Sequence, residues 1–474
     1  MDTTESPPIG WRVSFKLTFP AGLSAGEGSQ GNELAIALDG AGRPVLRGSS
    51  LAGALRSAYL AAGGSHDVDK TIFGAACGAD DAMLTPSRIE VPECILQAGP
   101  ANVETRKHNQ VNRHTGAVLA GGLFAIGALP PKCSTDVVMW LRADETSQED
   151  ASRWISWLGA ALATGLVLGG RGARGVGLAQ VDGPVLHRRY QLASPEGMAR
   201  WLADRWHWRN GSAGSTGEPV TGEAEPTQIL RVNIVLGVPR GQDFLVGSGG
   251  GRSEAGPQRV MAADGKEYWR LPGSSLRGQF RAWVSRLAAR AQTPVAFSRD
   301  RAVGDNGKPS DVSGEDLGWC FLNRDPQFSP GNAAKNIACP VAQLFGSLAA
   351  RGRVHVTDSF APVHKHHEQE RTHLMIDPIS GGAVERLLFS NSVLADAAGA
   401  PLRFSVSILV QRPSEQEARW LAACILALDS GLIRVGASKA AGRLALATPP
   451  AAVGPHADLF KKLEVSAKFM GGAK

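Results

Sequence analysis

The segment Gly48–Arg56 decides the fold, because it reads G-S-S-L-A-G-A-L-R and returns at Gly273–Arg281 as G-S-S-L-R-G-Q-F-R. Both copies follow the pattern G-S-S-L-x-G-x-Φ-R, in which Φ is an apolar residue. In each copy a serine pair precedes apolar residues at helical spacing, which is typical of the start of a helix. A pattern of this length that occurs twice predicts two copies of one structural unit.

Further matches follow in the same order along the two parts of the chain. They are Ile72–Gly74 with Leu344–Gly346, Arg88–Val91 with Arg353–Val356, and Gly165–Val167 with Gly431–Ile433. The separation between partners grows along the chain, which predicts an insertion around 292–341. Residues 209–227 are rich in Gly, Ser and Thr and favour a linker. We therefore expect a first domain at 1–208 and a second domain at 228–474.

The coarse secondary structure is the same in both units. Each unit begins with alternating apolar and polar residues, which predict a strand at Trp11–Phe19 and at Leu230–Leu236. Ser49, Ser50, Ser274 and Ser275 are expected to cap the next helices. Further strands are indicated at Arg88–Val91, Asp136–Leu141, Arg353–Val356 and Phe404–Val410, and capping patterns at Ser147–Asp150 and Ser414–Glu417. This order predicts an α+β fold of two tandem ferredoxin-like (RRM-like) domains.

Composition excludes several other classes of protein. The 474 residues are 43% hydrophobic and 20% charged, which is ordinary for globular domains. The net charge of +6 permits a polyanionic partner without requiring one. Six cysteines without C-x-x-C spacing favour reduced thiols. Met1–Gly10 lacks signal-peptide features, and apolar runs such as Ala160–Leu168 are too short to cross a membrane, so we expect a cytoplasmic protein.

Two Gly-rich basic loops close the two units. The first, Gly169–Gly177, contains G-x-G-x-x-G, but it follows a helix and lacks the acidic residue of a dinucleotide site. Glycines with arginines suit close contact with a phosphate backbone, while a tight turn with solvated arginines is the alternative. The second loop is Gly436–Arg443. The candidate RNA-binding residues in these loops are Arg171, Arg174, Lys439 and Arg443.

The repeated helix motif carries a second signal for nucleic acid. Gly53 and Gly278 lie inside predicted helices, where Gly costs about 1 kcal/mol relative to Ala. Such a glycine indicates close approach by another group, either nucleic acid or a packed neighbouring element. The first helical turn also presents amides to an anion. The motif residues expected at RNA are Ser49, Ser50, Arg56, Ser274, Ser275, Arg277 and Arg281.

Taken together, these segments resemble the RAMP superfamily, specifically the Cas-seven family of backbone subunits in type III CRISPR effector complexes. The duplication resembles a fused double subunit of type III-D-like complexes. The resemblance implies a core that holds guide RNA and two thumb-like hairpins, Thr105–Leu123 and Arg371–Leu387, that enter the guide-target duplex. It implies as partners the guide RNA, the target RNA and other type III subunits, with no membrane. The thumb residues that it places at RNA are Lys107, His108, Asn109, Asn112, Arg113, His114, His373 and Met375.

The same resemblance implies cleavage of target RNA by an acidic residue that lies before a second acid. In the first unit these positions are Glu33 and Asp39, with Glu where the family has Asp, and in the second unit the candidates are Glu254 and Asp264. The implied mechanism is attack by a ribose 2′-OH, assisted by Mg²⁺ or Mn²⁺. A non-catalytic scaffold and a guide-processing endoribonuclease of the same superfamily are the alternatives.

Zinc is not expected to be a cofactor. His364, His366, His367 and His373 are close in sequence, but their spacing is not that of a structural zinc site. Cys320 and Cys339 lack a second nearby pair. RNA contact or a solvated loop is the favoured interpretation of the histidine cluster.

Overall fold

The computed structural model describes residues 8–30, 33–74, 86–99, 103–111, 118–169, 174–209, 217–220, 228–247, 256–291, 340–346, 351–377, 379–397, 399–436 and 442–463. The predicted insertion around 292–341 therefore lies outside the described residues except for its last two positions. Among the described residues, no helix is long and apolar enough to cross a membrane. Cys94, Cys133 and Cys424 are free and buried, and burial raises the pKa of Cys94 and Cys133 to about 12.

The described residues of the first half form twelve strands and four helices. They are β1 Ile9–Phe19, β2 Gly26–Gln30, β3 Glu33–Ile36, β4 Val45–Leu46, α1 Gly48–Ala61, α2 His66–Phe73, β5 Ile89–Glu90, β6 Cys94–Ile95, β7 Glu104–Val111, β8 Val118–Ala128, β9 Cys133–Ala143, α3 Glu145–Thr164, β10 Leu166–Val167, β11 Leu178–Gln191, α4 Pro195–Arg209 and β12 Glu218–Pro219. Its main sheet has the order β10-β11-β1-β9-β5, and β12, which lies within the predicted linker, pairs with β11.

The second half repeats the central sheet. Its elements are β13 Ile229–Gly237, β14 Arg259–Met261, β15 Glu267–Leu271, α5 Gly273–Arg290, α6 Pro340–Phe345, β16 Val354–Val356, β17 Ser359–Pro362, β18 Glu368–Ile376, β19 Ala383–Leu394, β20 Arg403–Gln411, α7 Glu415–Asp429, β21 Ala445–Leu446, β22 Ala451–Val453 and α8 Asp458–Lys461. Its sheet has the order β16-β20-β13-β21, with β22 also on β13.

The two sheets have one topology. The first strand of the ferredoxin-like order is β1 in the first half and β13 in the second. On one side it pairs with the third strand of that order, β9 or β20, and on the other side with the last strands, β11 or β21 and β22. All of these pairs are antiparallel. The second strand, β5 or β16, pairs with the far side of the third strand. This arrangement is the split β-α-β order that the sequence predicts. The duplicated sequence thus folds into two antiparallel sheets of the same order.

One large hydrophobic core lies under the helices of each half. Alternate residues of β1 face the first core, where Trp154 of α3 and Leu51 of α1 are fully buried. In the second half, Phe280 of α5 and Leu421 of α7 pack onto the inward side of β13 and β20. A smaller apolar cluster lies on the opposite face of the first sheet, beneath α4.

The first glycine of the repeated motif is fixed by close packing. A Cβ built on Gly48 would lie 1.8 Å from the carbonyl oxygen of Val91, and one built on Gly273 would lie 2.3 Å from that of Val356. In both halves the motif helix therefore starts against the backbone at the end of the second strand. A side chain at this position would force the backbone of the helix and the strand apart.

Replacing Gly273 by Ala is expected to lower the free energy of unfolding by about 2 to 3 kcal/mol, because the added methyl overlaps backbone atoms. Urea denaturation followed by tryptophan fluorescence measures the change. Gly381, which has open space around it but a positive φ of 66°, provides a control with a smaller expected loss on substitution by Ala. Equal losses for the two variants would contradict the packing argument.

Three of the predicted helix caps are wrong and one is confirmed. α1 begins at Gly48 with Arg47 as its N-cap and no side-chain cap, so Ser49 and Ser50 lie inside the first turn. α5 begins at Gly273, whose amide donates to Asp358, so Ser274 and Ser275 are likewise inside the helix. α3 starts earlier than expected, with a capping box of Asp144 and Ser147. Ser414 and Glu417 form the predicted capping box of α7.

Candidate nucleic-acid interface

The second glycine of the motif lies on an open helix surface in both halves. Gly53 and Gly278 are exposed, and no heavy atom of the described residues lies within 4 Å of a Cβ built on either one, neighbouring residues and the backbone of the same helix excepted. Close packing against the described residues, the alternative that the sequence left open, therefore does not explain these glycines. Ser49, Ser50 and Ser57 are exposed along the same side of α1.

The arginines of the motif, which are predicted at RNA, form hydrogen bonds within the protein. Arg56 donates to Asp69 at 2.7 Å and to the carbonyl of Gly74 at 3.3 Å. Arg277 donates to the carbonyls of Phe345 and Val354. Each motif helix is thus tied to the Phe-Gly pair of its own half. Arg281 is half-buried and has a partner in the protein.

The hairpin β7-β8 spans the segment that the sequence predicts as the first thumb. Lys107 and Asn109 lie on its exposed side, whereas Arg106 and His108 are buried on the other side. His108, which the resemblance places at RNA, has a buried ring that stacks on Phe124 at 5.4 Å between centroids. The second hairpin, β18-β19, includes His373 and Met375 on β18, and their side chains lie outside the described set.

Buried charges join the first thumb to the second half. The carboxylate of Asp358 is fully buried and accepts from Arg106 at 2.8 Å, from Arg270 at 2.9 Å and from the amide of Gly273 at 2.8 Å. Glu104 accepts from both arginines, at 3.0 Å and 3.4 Å. Two acids therefore balance two buried arginines, and the start of α5 is fixed to the first half.

The described end of the first Gly-rich loop, residues 174–177, lies at this joint between the first thumb and the second half. The amide of Asp358 donates to the carbonyl of Gly175, and a Cβ on Gly175 would lie 1.8 Å from the Asp358 carboxylate. The guanidinium of the adjacent Arg174 lies 4.4 Å from the centroid of the Phe124 ring. Arg106 Nη2 and His108 Nε2 are buried without a partner among the described residues. A bound phosphate or water would satisfy these two atoms.

Acid is expected to weaken this joint through His108. Burial, together with Arg174 and Arg270, lowers the pKa of His108 to about 4. The unfolded chain, with a His pKa of about 6.5, binds more protons than the folded chain between these values, so stability falls as pH falls through this window. Between neutral pH and about pH 5 the loss from this group is about 2 kcal/mol. Denaturation of the wild type and of His108→Phe at both pH values measures it, and an equal acid sensitivity of the two proteins would exclude the effect.

The two later acids of the predicted catalytic pairs occupy equivalent turns. Asp39 accepts from the amides of Ala41 and Arg43 and from the Arg43 side chain. The bond from the Arg43 amide holds the pKa of Asp39 below its usual range. Asp264 accepts from the amide of Lys266 and from Lys132 and Tyr268. Burial alone would raise the pKa of Asp264, but these partners outweigh it and bring it to about 2.

Neither described acid fits the divalent cation that cleavage would use. Both oxygens of Asp39 and of Asp264 already accept hydrogen bonds from cationic groups, amides or a hydroxyl. No group of three or more metal-ligating side chains occurs within the described ranges, the histidine segment at 364–367 included. There, His367 is buried and bonds to the carbonyl of Ala400 through Nε2.

The other predicted site residues are half-buried or lie partly or wholly outside the described set. Glu33 belongs to β3, but its side chain lies outside the described set. Arg443 is half-buried, and Ser274 and Ser275 are half-buried in the first turn of α5. The predicted residues that lie wholly outside the described residues are Asn112, Arg113, His114, Arg171, Glu254 and Lys439.

Sequence reasoning missed the centre of the joint. Asp358, Arg270 and Phe124 carry no local motif, and they meet Arg106, Arg174 and His108 through long-range contacts. The one available signal was the position of Asp358, just after a segment, Arg353–Val356, that recurs in the chain. The first-half counterpart of this segment, Arg88–Val91, is followed by the exposed Glu93.

Comparison with known families matches this organisation. The family model described as the RAMP superfamily matches residues 15–180 and again residues 242–443. No curated protein matches the chain. Each matched segment contains one G-S-S-L-x-G-x-Φ-R motif, one hairpin predicted as a thumb, and two neighbouring strands of one sheet, β5 and β9 or β16 and β20. The chain therefore belongs to the RAMP superfamily, whose members are CRISPR-associated RNA-binding proteins built from ferredoxin-like domains.

Proposed function

We propose that the protein is a double backbone subunit of a type III, III-D-like CRISPR ribonucleoprotein and that it holds guide RNA along both halves. The observation that carries this proposal is the pair of open glycines, Gly53 and Gly278. An exposed helix glycine costs stability of about 1 kcal/mol, and nothing described in the protein packs against either one. An RNA backbone that lies on these two helix surfaces gives the same reason for both copies.

The remaining contacts surround these two surfaces. Ser49 and Ser50 are exposed beside Gly53, and Ser274 and Ser275 occupy the same turn beside Gly278. Lys107 and Asn109 extend the surface along the first thumb. The proposed surface also includes the predicted residues whose side chains are not described, namely Asn112, Arg113, His114, Arg171, His373, Met375 and Lys439. The proposed partners are guide RNA, target RNA and other type III subunits, in the cytoplasm.

We propose that the carboxylates that assist cleavage of target RNA are those outside the Asp39 and Asp264 turns. Glu33 in the first half and Glu254 in the second are the candidates that would assist attack by a ribose 2′-OH on the adjacent phosphate. Asp39 and Asp264 would act by shaping the hairpins next to these candidates. The scaffold alternative, in which this chain does not cut, is favoured by the engagement of both described acids.

Target cleavage by the assembled complex separates the two alternatives. Complexes are reconstituted with wild-type protein, Glu33→Ala, Glu254→Ala and the turn control Asp39→Asn, and are given labelled complementary RNA with Mg²⁺, with Mn²⁺ or with chelator. Loss of one product with one Glu variant, while guide RNA stays bound, assigns cleavage to that half. If all products persist in every variant, the chain is a scaffold. If guide RNA is not retained by wild-type protein, the proposed function itself is wrong.

A further inference from the structure

Besides the buried charges around Asp358, the two halves meet through two unlike surfaces, a corner on the first half and a sheet face on the second. The corner is the C-terminal end of α3, where the carbonyl of Thr164 accepts from Arg231 at 3.2 Å. A Cβ on the next residue, Gly165, would lie 3.8 Å from Leu409. Arg231 and Leu409 are directly paired on β13 and β20, on the face away from the core helices. An interface between unlike surfaces repeats into an open chain unless something stops it.

In the first half, α4 covers the equivalent sheet face. Arg12 and Trp140 are directly paired on β1 and β9, near the same strand ends as Arg231 and Leu409. Arg12 donates to Asp204 of α4 at 3.3 Å, and Trp140 packs edge-on against Trp201 of α4 at 4.9 Å between centroids. The same pair of sheet positions therefore contacts α4 in the first half and the α3 corner in the second.

α4 is a built-in part of the first half. Asp204 also accepts from Arg188 at 3.0 Å and from the hydroxyl of Tyr190. Arg205 donates to both carboxylate oxygens of Glu90, at 2.8 Å and 2.7 Å. In the described part of the second half, the helix that follows the last strand is α8, and its Phe460 lies in the main core instead of on the open sheet face.

The second half has a corner equivalent to the one that the first half uses. α7 ends before Ser430-Gly431-Leu432, which matches Thr164-Gly165-Leu166, and both glycines have positive φ, 81° and 105°. Leu432 is 68% exposed and Leu426 of α7 is 44% exposed, whereas Leu166 belongs to the core of the first half. These two exposed leucines beside a helix end leave apolar surface that a docked unit would cover.

We propose that α4 is a terminal cap and that the corner Leu426–Leu432 docks one further RAMP unit whose sheet face has no covering helix. The expected partner presents a basic residue opposite an apolar one on its first and third strands, as Arg231 and Leu409 do. A second copy of this chain does not fit, because α4 covers its sheet face. Subunits are then added at the second half and not at the first. This inference rests on the contact between the α3 corner and the sheet face of the second half, and not on RNA binding.

Molar mass in solution tests the cap. Wild-type protein is expected to remain a monomer of 49.8 kDa at all concentrations. Trp201→Asp, which places a charge against Trp140 and Tyr190, is expected to release α4 and to give chains of two, three or more copies. Leu432→Asp in the same chain should block the corner and restore the monomer. Met198→Asp, on the exposed side of α4, is the matched control and should stay monomeric.

A mixture tests the direction of docking. The double variant Trp201→Asp with Leu432→Asp offers a sheet face, and the wild type offers a corner, so mixing them should double the mass to a discrete dimer. A wild type that forms chains, a double variant that still associates alone, or a mixture that stays monomeric would each overturn the proposal. If Trp201→Asp does not melt cooperatively, Trp201→Ala with Asp204→Ala takes its place in every arm.

Discussion

Replacing Asp358 by Ala is expected to lower the free energy of unfolding by about 3 to 5 kcal/mol, because two buried arginines lose their shared counter-charge. Arg106 and Arg270 are almost fully buried and cannot turn to solvent without opening the joint. The amide of Gly273 at the start of α5 loses its acceptor as well. Urea denaturation followed by tryptophan fluorescence measures the loss.

An exposed ion pair provides the control for this variant. Glu415 accepts from Arg419 at 2.6 Å on the surface of α7, and Glu415→Ala is expected to cost far less than Asp358→Ala because water screens this pair. Asp358→Asn keeps an acceptor for Gly273 but removes the charge, so its loss should lie between the other two. Equal losses for Asp358→Ala and Glu415→Ala would show that the buried network does not hold the halves together.

Replacing Gly53 and Gly278 together by Ala is expected to stabilise the protein and weaken its RNA binding at least tenfold. Each Ala removes a helix cost of about 1 kcal/mol, and open space around both positions leaves no clash inside the described protein. The two methyls stand where the RNA backbone approaches, so the loss of affinity has no folding explanation. Thermal unfolding and binding of a labelled single-stranded RNA are measured on the same preparations.

The control for the glycine pair is Gln416→Ala, an exposed helix position in α7 outside the proposed surface. This variant should change neither RNA affinity nor stability by a comparable amount. Tighter or unchanged RNA binding by the glycine pair would remove the main support for the proposed RNA path. Lower stability of that variant would show that the glycines have a packing role after all.

The repeated motif predicted the duplication because it joins several local constraints. Gly48 and Gly273 allow the helix to start against the second strand, and Arg56 and Arg277 bind the carbonyls around the Phe-Gly pairs. Such constraints act within one half and leave a pattern in the sequence. The alternation in β1 and β13 predicted the central strands for the same reason, since one side of each strand faces a core.

The joint and the cap could not be predicted, because their contacts join distant positions without a local pattern. Asp358 meets Arg106 across the two halves, and Trp201 of α4 packs against Trp140 of β9. The burial of His108 could not be predicted either, because the resemblance placed it at RNA without showing which side of β7 is covered. Charge composition does not reveal which side of a strand is covered.

Ultraviolet crosslinking of bound guide RNA, with the crosslinked peptides identified by mass spectrometry, tests the central claim most directly. The account predicts crosslinks on the exposed sides of both motif helices, around Ser49–Gly53 and Ser274–Gly278, and at Lys107 and Asn109 of the first thumb. The two helices should bind different nucleotides of the same guide. Crosslinks confined to one half, or absent from both motif helices, would contradict the claim that this chain is a double backbone subunit.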